Sequence, residues 1–176
     1  MEQILEKNLT KIISSSAINR RIAEIANDIN IKYCSKPLLI IGVLNGSFIF
    51  LADLVRRLNI DVEICFIKAS SYNGQQKTDI IKFDLFDFDN IKGKDIMIIE
   101  DIVDTGDTVS KIRNKMINKA NSVAITAFLL KPNKAKLNFK IDWVGFEIPD
   151  EFVVGYGLDY NQKFRNLKDI YQRIEI

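Results

Sequence analysis

One stretch of the sequence, residues 98–108 (IIEDIVDTGDT), combines acidic, hydroxyl and glycine residues in a pattern that suits a phosphorylated ligand. Two apolar residues lead into the adjacent carboxylates Glu100 and Asp101, and a Thr-Gly-Asp-Thr turn at 105–108 then opens a helical pattern. Free backbone amides at the start of a helix converge on one spot, where the helix dipole adds positive potential. We therefore predict that this turn binds a phosphate, with its two threonine hydroxyls as further donors.

The carboxylates beside the turn indicate what else such a ligand carries. A carboxylate accepts hydrogen bonds from hydroxyl groups, and Mg²⁺ takes oxygen ligands while it keeps several waters. A sugar phosphate with a diol and Mg²⁺ would satisfy both the acids and the amides. An acidic loop with capping threonines and no ligand is the alternative that the residues alone leave open.

The residue types that are missing exclude several kinds of chemistry. The chain has no histidine, so neither a histidine relay nor an imidazole acid or base can operate. There is no GxxxxGK[ST] motif, and Tyr160 stands where a dinucleotide fingerprint that starts at 155–157 (GYG) requires glycine. An EF-hand loop starting at Asp101 would need an oxygen ligand at Val103. Catalysis must therefore rely on carboxylates, lysines, hydroxyls, backbone amides or a metal.

The elements that must position these residues alternate between strands and helices. Continuous apolar runs, typical of strands buried on both faces, occur at 38–43, 96–99 and 122–130. Helical periodicity predicts helices at 14–33, 48–58 and 108–119, and shorter strands are predicted at 11–13, 61–68, 80–86, 142–146 and 152–155. This order predicts an α/β domain with a mostly parallel sheet, in which ligands bind beyond the carboxyl ends of the strands. We therefore expect three loops to meet there: 44–46, 100–108 and 131–134.

Composition narrows the class of protein further. The chain has 176 residues, with 25 basic and 23 acidic side chains and a net charge of +2. The length, and the lack of any repeat or linker, predict one domain, 1–176. Because both signs are interspersed, we expect no dedicated nucleic-acid or membrane surface. Residues 1–10 lack the apolar segment of a signal peptide. Cys34 and Cys65 are interpreted as reduced core residues of a cytoplasmic protein.

The stretch 98–108 resembles the phosphoribosyl-diphosphate (PRPP) signature of the type I phosphoribosyltransferases, in which two acids and two apolar residues precede Asp-Thr-Gly-x-Thr. Other motifs resemble the hypoxanthine-guanine branch of that family and follow in its order: 44–48 (LNGSF), 71–72 (SY), 131–132 (KP) and 144–165 (VGFEIPDEFVVGYGLDYNQKFR). The resemblance implies a parallel sheet flanked by helices, with a small hood over the carboxyl ends of its strands. It also implies a purine-salvage enzyme that moves the phosphoribosyl group of PRPP to N9 of hypoxanthine or guanine with Mg²⁺.

The resemblance assigns roles within the acidic stretch. Glu100 and Asp101 would contact the ribose hydroxyls directly or through Mg²⁺. Asp104, also part of the PRPP site, would be the catalytic residue that exchanges a proton with N7 of the purine. The 5′-phosphate would be surrounded by the four residues that follow, with the acid among them turned to water: Thr105, Gly106, Asp107 and Thr108.

Roles on the base side are implied in the same way. Lys131 would donate to the 6-oxo group, Phe152 would stack on the purine, and Val153 would meet the base edge through its backbone. Since an ammonium group only donates hydrogen bonds, Lys131 favours 6-oxopurines over adenine.

The diphosphate would lie between Arg165 and a loop formed by Leu44, Asn45 and Gly46, while Asp159 would hold a second Mg²⁺. In the family the middle residue of this loop is usually basic, and the peptide before it can be cis. Asn45 removes that positive charge, which predicts a weaker affinity for PRPP.

Further expectations concern a flexible loop, the oligomeric state and two alternative functions. Ser71 and Tyr72 would lie on a flexible loop that closes over the site. A homo-oligomer, dimer or tetramer, is implied. A xanthine-preferring transferase is compatible with Lys131. A nucleotide-binding transcriptional regulator would need a basic face, and the basic residues of helix 108–119 do not form one continuous stripe.

Overall fold

The computed structural model describes residues 9–71, 81–84, 88 and 90–173. Its strands are β1 (Leu9–Ile13), β2 (Leu38–Leu44), β3 (Val62–Ser71), β4 (Ile81–Asp84), β5 (Asp95–Val103), β6 (Ser122–Leu130), β7 (Trp143–Glu147), β8 (Val153–Val154) and β9 (Ile170–Arg173). Its helices are α1 (Ser15–Lys32), α2 (Phe48–Val55) and α3 (Asp107–Met116). In this part of the chain no helix combines the length and the apolar character needed to cross a membrane.

The main sheet has the strand order β4-β3-β2-β5-β6-β7, and all of its pairs are parallel except β3 with β4. Alternate residues of the central strand β5 enter two separate cores. Met97 and Ile99 pack with α1 and α2, whereas Ile96 and Ile98 pack with α3. Helices therefore cover both faces, which confirms the predicted α/β fold and explains why the strands are apolar without alternation.

A smaller antiparallel sheet, β1-β9-β8, is built from segments far apart in sequence. Leu9 pairs with Arg173, and Val153 pairs with Gln172. The chain after β8 reaches the carboxyl edge of the main sheet, where a Cβ on Gly157 would lie 2.1 Å from the Gly46 carbonyl oxygen. This sheet corresponds to the expected hood. Strand β9 was not predicted from the sequence.

Several predicted boundaries are wrong, and strand pairing explains two of the differences. We predicted that β5 ends at Ile99, but it continues to Val103 because β6 pairs with it as far as Val103 and Leu130. Glu100 and Asp101 therefore lie in a strand and not in a turn. Likewise β3 extends through residues 69–71, where we predicted a loop, because β4 pairs with them.

The first helix follows its sequence signals closely. Ser14, the first residue of the predicted range, is the N-cap and accepts a hydrogen bond from the Ala17 amide at 3.3 Å, and the periodic apolar residues of α1 are buried. The other two helices end earlier than predicted, at Val55 and Met116. Cys34 and Cys65 are free, but the prediction that both lie in the core is wrong, since Cys34 is exposed just after α1.

One carboxylate links the hood to the main body. Asp169, next to β9, accepts a hydrogen bond from the Ser15 amide at 2.6 Å and forms an ion pair with Lys11 at 2.9 Å. The hydrogen bond from Lys11, followed by that from the Ser15 amide, lowers the pKa of Asp169 from 3.8 to about 2. Because this pKa is lower in the folded chain, the carboxylate stabilises the fold above roughly pH 4 and loses that effect as the pH falls through about 2.

We predict that Asp169→Asn lowers the free energy of unfolding by about 1 kcal/mol at pH 7, as expected for a partly exposed ion pair. The difference in the free energy of unfolding between this variant and the unchanged chain should become smaller below about pH 4, where the carboxylate of the unfolded chain becomes protonated. Urea unfolding at several pH values measures it. Asp28→Asn, an exposed acid on α1, is the control, and a difference that stays constant with pH would contradict the assignment.

Candidate active site

The three loops expected to meet do so at the carboxyl edge of the main sheet. Gly46, in the loop after β2, packs so closely on β5 that a Cβ there would lie 1.5 Å from Oδ2 of Asp101. Gly157 also packs closely on the backbone of Gly46. Only glycine fits at Gly46 in this arrangement, so the predicted diphosphate loop is in contact with a predicted ribose-binding acid.

The turn between β5 and α3 encloses a small cavity of about 80 Å³, lined by Glu100 and residues 102–109. This volume exceeds the roughly 10–15 Å³ that one water requires. Gly106 stands at the N-cap of α3 with a φ of +90°, a conformation that favours glycine. Asp107 is exposed, as predicted for an acid whose carboxylate turns to water. The geometry suits a phosphate held by backbone amides.

The two carboxylates of β5 are unusually short of partners. Glu100 is only 7% exposed, and its Oε2 has no hydrogen-bond partner among the residues that the structure describes. Burial, and then the charge of Asp101, raise the pKa of Glu100 well above its ordinary value. Burial likewise raises the pKa of Asp101 to about 6, although the Ile102 amide donates to it at 2.9 Å. Both acids therefore favour a ligand that supplies positive charge or hydrogen-bond donors.

The base side of the site contains a partly buried group of four charges. Nζ of Lys131, which is 8% exposed, donates to Asp150 at 2.9 Å and lies 3.9 Å from Oδ1 of Asp104. Lys134 lies 3.0 Å from the same oxygen of Asp104 and donates to Asp150 at 3.1 Å. Lys131 and Asp104 thus meet, as the sequence predicted. Nothing in the sequence indicated the two ion pairs of Lys134, whose side chain is 38% exposed.

The aromatic side chain expected to stack on a base is available for it. Phe152 is 51% exposed and meets the ring of Tyr160 edge-on, with ring centroids 5.8 Å apart. Most phenylalanines are buried, so this exposure is informative. Val153 next to it is buried and forms part of β8.

Arg165 and Asp159, predicted to bind diphosphate and metal, form an ion pair with each other at 2.7 Å. Arg165 also donates to the Gly157 carbonyl at 2.7 Å, beside the Gly46 loop. The charge of Arg165 lowers the pKa of Asp101, and that of Asp159 raises it, although both effects are smaller than that of burial. These three side chains therefore share one electrostatic environment.

The remaining predicted residues lie at or beyond the edges of the site. The Leu44–Asn45 peptide is cis, as the family resemblance allowed, and Asn45 is exposed. Ser71 ends β3, and Tyr72 lies outside the described residues. Asp150 was missed from the sequence, because a lone aspartate after proline in 148–150 (IPD) gives no signal of its lysine partners.

Comparisons with a protein-family model and with known sequences agree with the residues found in the site. The family model described as a phosphoribosyl transferase domain matches residues 9–161. A hypoxanthine phosphoribosyltransferase of Haemophilus influenzae is 44% identical over 161 residues, which cover 89% of this chain and 90% of that protein. A hypoxanthine-guanine phosphoribosyltransferase of Aquifex aeolicus is 40% identical over 175 residues, covering 97% of this chain and 98% of that one.

A solved structure gives the same result for the fold. The crystal structure of a hypoxanthine phosphoribosyltransferase from Staphylococcus aureus superposes with a TM-score of 0.88 at 35% identity, over 99% of this chain and 96% of that chain. Together, the matched domain, the similar sequences and the shared fold show that this chain belongs to the phosphoribosyl transferase family.

Proposed function

We propose that this protein transfers the 5-phosphoribosyl group of PRPP to N9 of hypoxanthine, and of guanine, and releases diphosphate. One observation supports this most directly. The cavity after β5 is lined by Asp104, which pairs with Lys131, and Lys131 also binds Asp150, two residues before the exposed ring of Phe152. This arrangement supports an anion-binding turn and a base-binding surface in one site, as a nucleotide-forming transferase needs.

The choice of base depends on Lys131. Its ammonium group can only donate hydrogen bonds, so it suits the 6-oxo oxygen of hypoxanthine, guanine or xanthine and opposes the 6-amino group of adenine. Its aliphatic stem is buried, which fixes the position of the donor. A site built around a fixed donor discriminates strongly against a substrate that cannot accept from it.

The transition state should have oxocarbenium character at C1 of the ribose. Acids of the site, Glu100 and Asp101, would orient the ribose through its hydroxyls, and Arg165 would bind the leaving diphosphate. Asp104 would exchange the N7 proton of the purine as N9 attacks C1. A preorganised set of charges and amides would then supply most of the rate acceleration.

The acids also fit a divalent cation, although among the described residues no three acidic or sulfur side chains gather into a metal-binding group. Glu100 has a buried oxygen without a partner, and burial raises the pKa values of both Glu100 and Asp101. Mg²⁺, which prefers one or two carboxylates plus waters and substrate oxygens, would be held by these two acids, with a second ion at Asp159. Bound Mg²⁺ would neutralise charge on the diphosphate.

A spectrophotometric assay with PRPP, Mg²⁺ and each of four bases tests the proposed function. We expect nucleotide formation with hypoxanthine and guanine and none with adenine. The rate with xanthine tests the alternative of a xanthine-preferring transferase. Omission of Mg²⁺, with chelator present, should abolish turnover. Release of diphosphate with no base-dependent product would contradict the proposal.

The exposed position of Asn45 leads to a separate prediction. Asn45→Lys should lower the apparent KM for PRPP by up to about fivefold, since an exposed charge pair contributes roughly 0.2–1 kcal/mol. Initial rates at varied PRPP concentration measure this effect. Asn45→Gln adds length without charge and should change nothing. An unchanged KM in the lysine variant would mean that the loop amides alone suffice.

The oligomeric state and the cellular location are also proposals. A homo-oligomer, dimer or tetramer, is supported by exposed apolar side chains on neighbouring elements, Phe48 of α2 and Ile64 and Phe66 of β3. Cytoplasmic location is supported by the two free cysteines.

A further inference from the structure

The four-charge group of the base site, here called the charge cluster, consists of Asp104, Lys131, Lys134 and Asp150. Both ammonium groups approach the same two oxygens, Oδ1 of Asp150 and Oδ1 of Asp104. The two lysines lie at different distances from these oxygens. Lys131 is closer to Asp150, at 2.9 Å, than to Asp104, at 3.9 Å. Lys134 is therefore the nearer cation to the proposed catalytic acid, at 3.0 Å.

Backbone hydrogen bonds fix Lys134 in this position. The Lys131 amide donates to the Val103 carbonyl at 3.0 Å, which extends the pairing of β6 with β5. The Lys134 amide then turns back to the Lys131 carbonyl at 3.1 Å, and the Lys136 amide donates to the Thr105 carbonyl at 2.9 Å. The turn that carries Lys134 is thus attached to the chain on both sides of Asp104. The fold therefore fixes the backbone of Lys134 beside Asp104, within reach of its 38% exposed side chain.

The two oxygens of Asp104 have different surroundings. Oδ1, which faces the lysines, is shielded from solvent and has no hydrogen-bond partner among the described residues, so its contact with Lys134 is an ion pair, while 42% of the side chain is exposed. The exposed area therefore belongs to the other atoms of the side chain, which include Oδ2. A base bound against Phe152 and Lys131 would meet Asp104 from that open side. The carboxylates of Asp104 and then Asp150 raise the pKa of Lys134, so it is charged at neutral pH.

We propose that Lys134 is a positioning residue for Asp104 in the transfer reaction. Its ammonium group binds Oδ1, so that Oδ2 faces N7 of the purine. It also satisfies the charge of Asp104, so that Lys131 stays with Asp150 and remains available for the 6-oxo group of the base. The inference rests on the proposed function, because both residues that Lys134 positions act there on the purine.

The test is a set of kinetic variants. Lys134→Met removes the charge and keeps an unbranched side chain. We expect kcat to fall roughly 10-fold, a part of the ~10²–10⁴-fold that a positioned acid–base group supplies. The KM for PRPP should change less than about twofold, because the phosphate turn is untouched. Lys134→Arg should recover most of the rate. Lys136 is an exposed lysine of the same connector, residues 131–142 between β6 and β7. Lys136→Met is therefore the matched control and should behave like the unchanged chain.

A double variant decides whether Lys134 acts through Asp104. If it does, Lys134→Met should cost no further rate in an Asp104→Asn background, because two residues that act as a unit are not additive. If the losses in kcat from Lys134→Met and Asp104→Asn add fully in the double variant, the inference is overturned. It is also overturned if Lys134→Met has the same kcat as Lys136→Met. Absence of any transfer by the unchanged chain would instead reject the proposed function, so the two failures are distinguishable.

Discussion

Replacing Asp104 with asparagine is expected to preserve the fold and to lower phosphoribosyl transfer by roughly 10²–10⁴-fold, the contribution typical of a positioned acid–base group. The fold should survive because the side chain is 42% exposed and follows the end of β5. An amide retains the size of the carboxylate but cannot accept the N7 proton. With no histidine in the chain, a base that replaced it would have to be another carboxylate, a lysine, a tyrosine or a cysteine.

Steady-state kcat and KM, with the thermal transition as a check on folding, measure this effect. Glu147→Gln is a suitable control, since Glu147 is an exposed acid at the carboxyl end of β7, two strands away from β5 in the sheet. We expect the control to retain its rate and the thermal transition of both variants to stay close to that of the unchanged chain. Unaltered rates for Asp104→Asn across the pH range would contradict the role of Asp104 as the proton acceptor.

Lys131→Ala should have the second largest effect and should separate the two substrates. Loss of a hydrogen bond from a charged donor costs roughly 1.5–3 kcal/mol, which corresponds to about a 10- to 100-fold lower kcat/KM for hypoxanthine. PRPP binding should hardly change, because Lys131 lies on the base side with Asp104 and Asp150. Asp150 keeps Lys134 as a partner, so the variant does not leave that carboxylate without a cation.

Initial rates with varied hypoxanthine, beside the dissociation constant of PRPP from titration, give the comparison. Lys140→Ala removes an exposed lysine from the same connector and serves as the control. Equal losses in hypoxanthine use and PRPP binding would indicate that Lys131 supports the structure of the site and does not select the base.

The parts of the fold that could be predicted depend on local pattern. The central strands β2, β5 and β6 each contain an apolar run that is buried on both faces, which indicates a parallel sheet with helices on either side. Strand β9 has the sequence IYQR and only one fully buried residue. It forms because β1 lies beside it, and no local pattern reports a partner more than 150 positions away.

The same distinction applies to the candidate site. The phosphate turn is contiguous in sequence, so its residue types and spacing could be recognised together. The charge cluster is assembled from three separate segments, and Lys134 is one of several lysines in its connector. Phe152 could equally have been a core residue on composition alone. Its function could be predicted only from the family resemblance, and its exposure is known only from the fold.

The hood described above also bears on the order in which the site assembles during folding. The phosphate turn depends on β5, α3 and β6, all between residues 95 and 130, so its contacts close only short loops. The surface for the base depends on Val153 pairing with β9, which in turn pairs with β1 at the opposite end of the described chain. Contacts between segments so distant in sequence form late, because the entropy of a long loop must first be lost. A folding chain should therefore form the proposed phosphate-binding turn before the proposed purine-binding surface.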